Sequence, residues 1–213
     1  MRRYSTTVML TLTLGLPVLT ACSDVTGPPH PEMTAYVTDI SGSAGGVPQG
    51  SGQALGTTAA QVASDSFAGS VTGAAQVMIY SETQGWFAVG SPRDLTLRLQ
   101  AADSSAVASS ATIPSDTYTR VRLVLAGCAV DLHAGSVIGG VALSSALNLA
   151  LGGSDNYASI DLDVPPFTVS TTGTAKVRLD LHSANWVNQT NVGTESVSDA
   201  ELQAATTVSI TSD

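Results

Sequence analysis

From Thr117 to Leu125 the chain alternates without a break, with Val121, Leu123 and Leu125 on one side and Arg120, Arg122 and Val124 on the other. An extended backbone sends successive side chains to opposite faces, so a period of two marks a strand with one buried face. The pattern returns at Leu95, Leu97 and Leu99, at Leu147, Leu149 and Leu151, and at Ile160, Leu162 and Val164. Lys176 to Leu181 (Lys-Val-Arg-Leu-Asp-Leu) repeats the style of Arg120 to Leu125 (Arg-Val-Arg-Leu-Val-Leu). Two matching strands do not make a repeat, and similar positions in two packed sheets account for them equally well.

Turn residues punctuate these runs. Ala75 to Tyr80 and Trp86 to Val89, joined by Glu82-Thr83-Gln84-Gly85, read as a hairpin. Pro114-Ser115-Asp116 places Pro and Asp where a type I turn favours them. Gly152 to Asn156 and Thr171-Thr172-Gly173 mark further turns, and Pro165-Pro166 is expected to break the strand before it, leaving Phe167 to Ser170 as a short strand. Ser198-Asp199-Ala200-Glu201 has capping-box spacing and predicts a short helix to about Ala205, followed by an edge strand over Val208 to Thr211. Short strands between Gly, Pro and Ser turns predict an all-β fold, an antiparallel Ig-like or prealbumin-like β-sandwich.

The start of the chain decides where such a domain lives. Met1-Arg2-Arg3 is followed by an apolar run from Val8 to Leu19, shorter than the roughly 20 residues of a spanning helix and interrupted by Gly15 and Pro17. Small residues, Thr20 and Ala21, precede Cys22, which completes the outline of a secretory leader over residues 1–21. Leu19-Thr20-Ala21-Cys22 resembles the bacterial lipobox at every position; an ordinary leader with a cysteine beside its cut is the alternative. The resemblance implies a diacylglyceryl thioether on Cys22, usually with a further acyl chain on its amine. Two or more chains anchor stably where one holds only marginally. Ser23 rather than Asp follows the cysteine, which by the same resemblance favours the outer membrane if the cell is Gram-negative, with the domain periplasmic or surface-facing.

Cutting the leader removes Arg2 and Arg3 but no acid, leaving 6 basic and 17 acidic side chains, a net charge of −11. Phosphate backbones repel such a surface, so nucleic acid is not an expected partner. Membrane lipid, reached through the acyl anchor, and an unknown envelope protein or glycan are the expected ones. With Cys22 lipidated only Cys128 remains, so no disulfide framework exists, and Cys128 reads as a small buried apolar residue. Residues 22–66 are rich in Gly, Ser, Ala, Pro and Thr and read as a flexible tether, with one candidate strand over residues 34–40. The sandwich domain is expected over residues 67–213.

Ile113-Pro114-Ser115-Asp116-Thr117-Tyr118 running into Arg120-Val121-Arg122-Leu123 resembles the signature of a bacterial lipoprotein domain family of unknown function. In that family a Pro-Ala-Gly-x-Tyr turn opens a strand continuing Val/Ile-Arg-Leu. Gly85-Trp86, Leu95-Thr96-Leu97, and Pro166-Phe167-Thr168-Val169 leading to Val177-Arg178-Leu179-Asp180-Leu181 extend the likeness over roughly residues 67 to 190. Ser115-Asp116 stands where the family has Ala-Gly, a change that the turn tolerates. The resemblance implies a β-rich domain and brings no catalytic residues.

The chain contains no Gly-x-Ser-x-Gly, Walker loop, His-Glu-x-x-His or Cys-x-x-Cys motif, so the expectation is a protein that is not an enzyme and carries no cofactor. Asp131 with His133 and Asp180 with His182 are two Asp-Leu-His pairs that would bind zinc only if their strands were neighbours. Asp155, Asp161 and Asp163 are candidate calcium ligands; the competing reading is an acidic outward face that discourages edge pairing. Trp86 and Trp186 are candidate platforms for a sugar, against a role in filling the core. The expected function is a structural or binding module of the cell envelope. The alternative is a carbohydrate-binding or calcium-stabilised adhesion module.

Overall fold

The structure, a computed structural model, describes residues 30–40, 66–101 and 105–212. The leader, Cys22 and most of the expected tether lie outside these residues. In chain order the strands are β1 (Glu32–Thr38), β2 (Gly69–Ser81), β3 (Gly85–Ala88), β4 (Arg93–Arg98), β5 (Ser105–Thr112) and β6 (Asp116–Leu132). Then come β7 (Val137–Ile138), β8 (Val141–Ala142), β9 (Leu147–Leu151), β10 (Tyr157–Val169) and β11 (Thr174–Asp180). Helix α1 (Gln189–Thr194), strand β12 (Ser196–Val197), helix α2 (Asp199–Ala205) and strand β13 (Thr207–Ser212) complete the described chain.

Two sheets carry the fold. The smaller has the order β13-β11-β1-β5. The larger is built on the long antiparallel pair β2–β6: β3 and β4 line the free side of β2, β9 and β10 line the free side of β6, and β12 follows β9. Buried residues from both sheets form one continuous cluster, including Val77, Ile79, Val121, Leu123 and Leu125 from the larger and Met33, Val37, Val177 and Leu179 from the smaller. The inward residues are those that the alternation selects. Arg120–Leu125 and Lys176–Leu181 lie in different sheets, so their likeness is two interior strands meeting the same demand.

The all-β expectation holds, with three differences in detail. Two pairings are parallel, β1 with β11 and β9 with β12, in an otherwise antiparallel arrangement. The candidate strand at 34–40 is β1, and it is an interior strand held between β11 and β5, with Met33, Ala35 and Val37 fully buried. The domain therefore begins before residue 67, because the apolar half of this strand outweighs its Gly- and Ser-rich surroundings. Pro165-Pro166 does not end a strand: β10 runs through them and its register on β6 shifts between Asp163 and Phe167. Proline lacks a donor, and the shift absorbs the pair without a break.

Other local features follow their sequence signals. Ser198 and Glu201 form the capping box of α2, each side chain bonded to the other residue's backbone N–H. A bulge interrupts β2 between Thr72 and Ala74, where Cys128 is pressed against the backbone of Gly73. A Cβ at Gly73 would stand 2.5 Å from the Cys128 sulfur, so that approach and the glycine's φ of 148° exclude a side chain. The buried thiol donates to the Ala74 carbonyl (3.3 Å), and burial pushes its pKa up, as expected for a packing residue.

Candidate functional site

The polar feature with most chemistry lies on the outward side of the larger sheet. There Trp86 of β3 sits opposite Tyr80 of β2, Tyr80 opposite Arg120 of β6, and Arg120 opposite Asp163 of β10. The next rung places Met78, Arg122 and Asp161 in line. Alternation alone turns these side chains outward, because Val121 and Leu123 between them are buried. Four strands therefore bring aromatic, cationic and anionic groups together in that order.

The groups are paired with one another. Arg122 holds Asp161 through two hydrogen bonds (2.5 and 2.7 Å), and its guanidinium carbon lies 4.1 Å from the Trp86 ring centroid. Arg120 lies 5.3 Å from the same ring and 5.9 Å from that of Tyr80. Its Nε is 3.2 Å from Asp163, an ion pair whose angle is too poor for a hydrogen bond. Tyr80 and Trp86 pack at 5.4 Å between centroids. Each exposed cation–π contact contributes about 0.5–1 kcal/mol, and each surface ion pair about 0–1 kcal/mol. The ladder thus orients the sheet's outer face more than it stabilises the core.

Hydrogen bonds from Arg122 hold the Asp161 carboxyl below its ordinary range, against a smaller upward push from burial. Burial pushes Glu201 up, yet hydrogen bonds from Ser198 and Asn191 outweigh it and leave this carboxyl lowered as well. A lowered folded-state pKa contributes stability that is present above the ordinary value and lost as pH falls through the folded one. The urea midpoint is therefore expected to stay level from neutral pH to about 5 and to fall below about 4. Asp161→Asn should make that acid slope shallower in urea titrations run between neutral pH and about 2.

Asp161 faces Arg122, Asp163 faces Arg120, and Asp155 remains in the turn Gly153–Asp155 beside Ser154. The expected calcium grouping is therefore not assembled; cross-strand pairing with arginine claims two of its members. Trp86 is half-buried, with Arg122 against its ring, and remains at the surface. Trp186 is not a platform: it is 1% exposed and its indole N–H donates to the Leu181 carbonyl (2.8 Å). A ring whose only polar atom is satisfied inside the core has no face to offer a sugar. The two Asp-Leu-His segments lie in or beside β6 and β11, in different sheets; Asp131 pairs with Asn148 and His182 with Thr207. Among the described residues no three His, Cys, Asp or Glu side chains converge as a metal site, and no helix is long and apolar enough to cross a membrane.

Asp39 belongs to no sequence motif. It is fully buried and accepts hydrogen bonds from the Gln100 N–H (2.7 Å), the Ser183 N–H (2.6 Å) and the Ser183 hydroxyl (2.5 Å). The available signal was a single acid closing an otherwise apolar-alternating strand, in Thr-Ala-Tyr-Val-Thr-Asp-Ile. No protein-family model, characterised protein or solved structure matches the chain.

Proposed function

We propose that this protein is a non-enzymatic lipoprotein of the cell envelope, in which an Ig-like or prealbumin-like β-sandwich serves as a structural or binding module. The observation that carries the reading is Leu19-Thr20-Ala21-Cys22 behind a basic start and a short apolar run. Acyl chains on Cys22 supply the membrane contact; a domain of net charge −11 after the cut would not seek anionic lipid by itself. In a Gram-negative cell the outer membrane is the proposed location.

The fold supports the sandwich reading at one further point. The Tyr118 hydroxyl donates to the Pro114 carbonyl four residues upstream (2.6 Å), closing the turn into β6 as tyrosine corners do in Greek-key sandwiches. Burial, aided by Asp116, pushes this phenol up to about 12, so the hydroxyl remains a donor through the physiological range. The conspicuous carboxylates, Asp39, Asp161 and Glu201, are each bound to donors within the domain, which suits a rigid module.

Cys22→Ser tests the anchor. The variant is expected to leave the membrane fraction and to lose incorporation of a labelled fatty acid, while the domain keeps its circular dichroism. Retention in the membrane fraction would refute the lipid assignment. A second reading, a carbohydrate-binding module, draws on Trp86 standing half-buried at a sheet edge. A glycan array tests it, and silence there removes it.

A further inference from the structure

The placement of β1 fixes where the chain enters the domain. At one end of the smaller sheet the Glu32 N–H donates to the Gly173 carbonyl (3.2 Å) and the Ile113 N–H to the Pro31 carbonyl (2.9 Å). Ser115 at the same end donates to the Val169 carbonyl (2.9 Å), and Thr83 and Gln84 reach Asp116. Ser212, paired opposite Ala175, finishes there too. This entry end gathers Pro31 with the turns at 82–84, 113–116 and 170–173. The opposite end holds Asp39 with Gln100 and Ser183, and the turn beyond Leu132, where the His133 N–H donates to Ala68. Between the two ends runs β2, whose 13 residues span about 40 Å.

Because β1 belongs to the domain, the leash is much shorter than the expected tether over 22–66. The eight peptide units from Cys22 to His30 reach at most about 29 Å when fully extended, and about 15 Å as a flexible coil. We propose that, with Cys22 acylated, the entry end faces the lipid headgroups at close range and the Asp39 end is held outermost. This inference rests on the lipoprotein reading. An inverted domain would have to hold Pro31 about 40 Å above the headgroups, beyond what the leash can reach. The entry end is also suited to stand-off and not to insertion. Its turns and strand start carry Glu32, Glu82 and Asp116, with no Lys or Arg among residues 31–32, 81–85, 113–116 and 170–173. Anionic headgroups repel these carboxylates, so the acyl chains alone hold the domain down.

The test uses the acylated full chain added to preformed phosphatidylethanolamine–phosphatidylglycerol vesicles bearing a headgroup-linked energy acceptor. A donor dye is attached at Thr172→Cys, on the entry end, or at Ala134→Cys, on the far end; both positions are exposed and Cys128 is buried. Transfer from position 172 is expected to exceed that from 134 by about threefold or more, given the separation of the ends. Inserting about 30 Gly/Ser residues after Asp24 is expected to close the gap. Equal transfer, or more from 134, in protein that floats with the vesicles overturns the orientation and leaves the anchor standing. A gap that survives the insertion overturns it as well, since the leash would not be its cause. Protein that fails to float overturns the anchor, and the orientation with it.

Discussion

Replacing Asp39 with alanine is expected to lower folding stability by about 4 kcal/mol, because two buried donors of Ser183 and a part-buried one of Gln100 lose their acceptor at about 1–3 kcal/mol each. The side chain ties the residue after β1 to the turns that follow β4 and β11. Both turns are strained: Gln100 has φ 51° and His182, next to Ser183, has φ 46°. A non-glycine residue in the left-handed region costs about 1–2 kcal/mol and persists only where its surroundings over-determine it. The Asp39 carboxylate is a large part of what does so, receiving one N–H from Gln100 and two donors from Ser183. Asp39→Asn should fall between wild type and alanine, since it keeps one acceptor oxygen but turns an NH₂ toward a donor. Urea unfolding measures both. A change below about 0.5 kcal/mol in the alanine variant would show that the two turns hold themselves.

The second large effect concerns β1. A chain beginning at Phe67, where composition places the start of the domain, is expected not to fold, whereas one beginning at His30 should fold as the full chain does. Without β1, β5 and β11 have no common neighbour, and the backbone groups that pair with it on both sides are left open. Burial of Met33 and Val37, both fully enclosed, contributes about 3–6 kcal/mol by itself. That is comparable with the whole stability of a typical domain, about 5–15 kcal/mol. Circular dichroism and amide dispersion in proton NMR spectra would report the difference. A well-dispersed spectrum from the chain starting at Phe67 would mean that the smaller sheet closes without its interior strand.

Strands with strong alternation are legible in the sequence itself, and so are the hairpin at 82–85, the turn at 114–116 and the capped helix after Ser198. Strand β5, Ser-Ala-Val-Ala-Ser-Ser-Ala-Thr, was not, because small side chains carry almost no periodic contrast and it is pairing with β1 that makes them a strand. Helix α1 was missed for a similar reason: its six residues have no apolar stripe, and Asn188 caps it through N–H groups of Thr190 and Asn191. At the candidate site, the residue types Trp86, Arg120, Arg122, Asp161 and Asp163 stood out in the sequence, but their partners did not. Asp161 and Asp163 look like cation ligands as long as the strand opposite them is unknown; β6 supplies two arginines instead.

Local information therefore determined the class of fold and the faces of its strong strands, since side-chain alternation is a property of the extended backbone itself. It also carries the proposed address, since a leader is recognised by segments of a few residues. Only tertiary structure decided that residues 32–38 are interior, that Trp186 belongs to the core, that the acids of β10 face arginines, and that Asp39 joins two turns to the end of β1. Each of these depends on contacts between residues 39 to 144 positions apart or on burial beneath another element, and no window along the chain contains both partners.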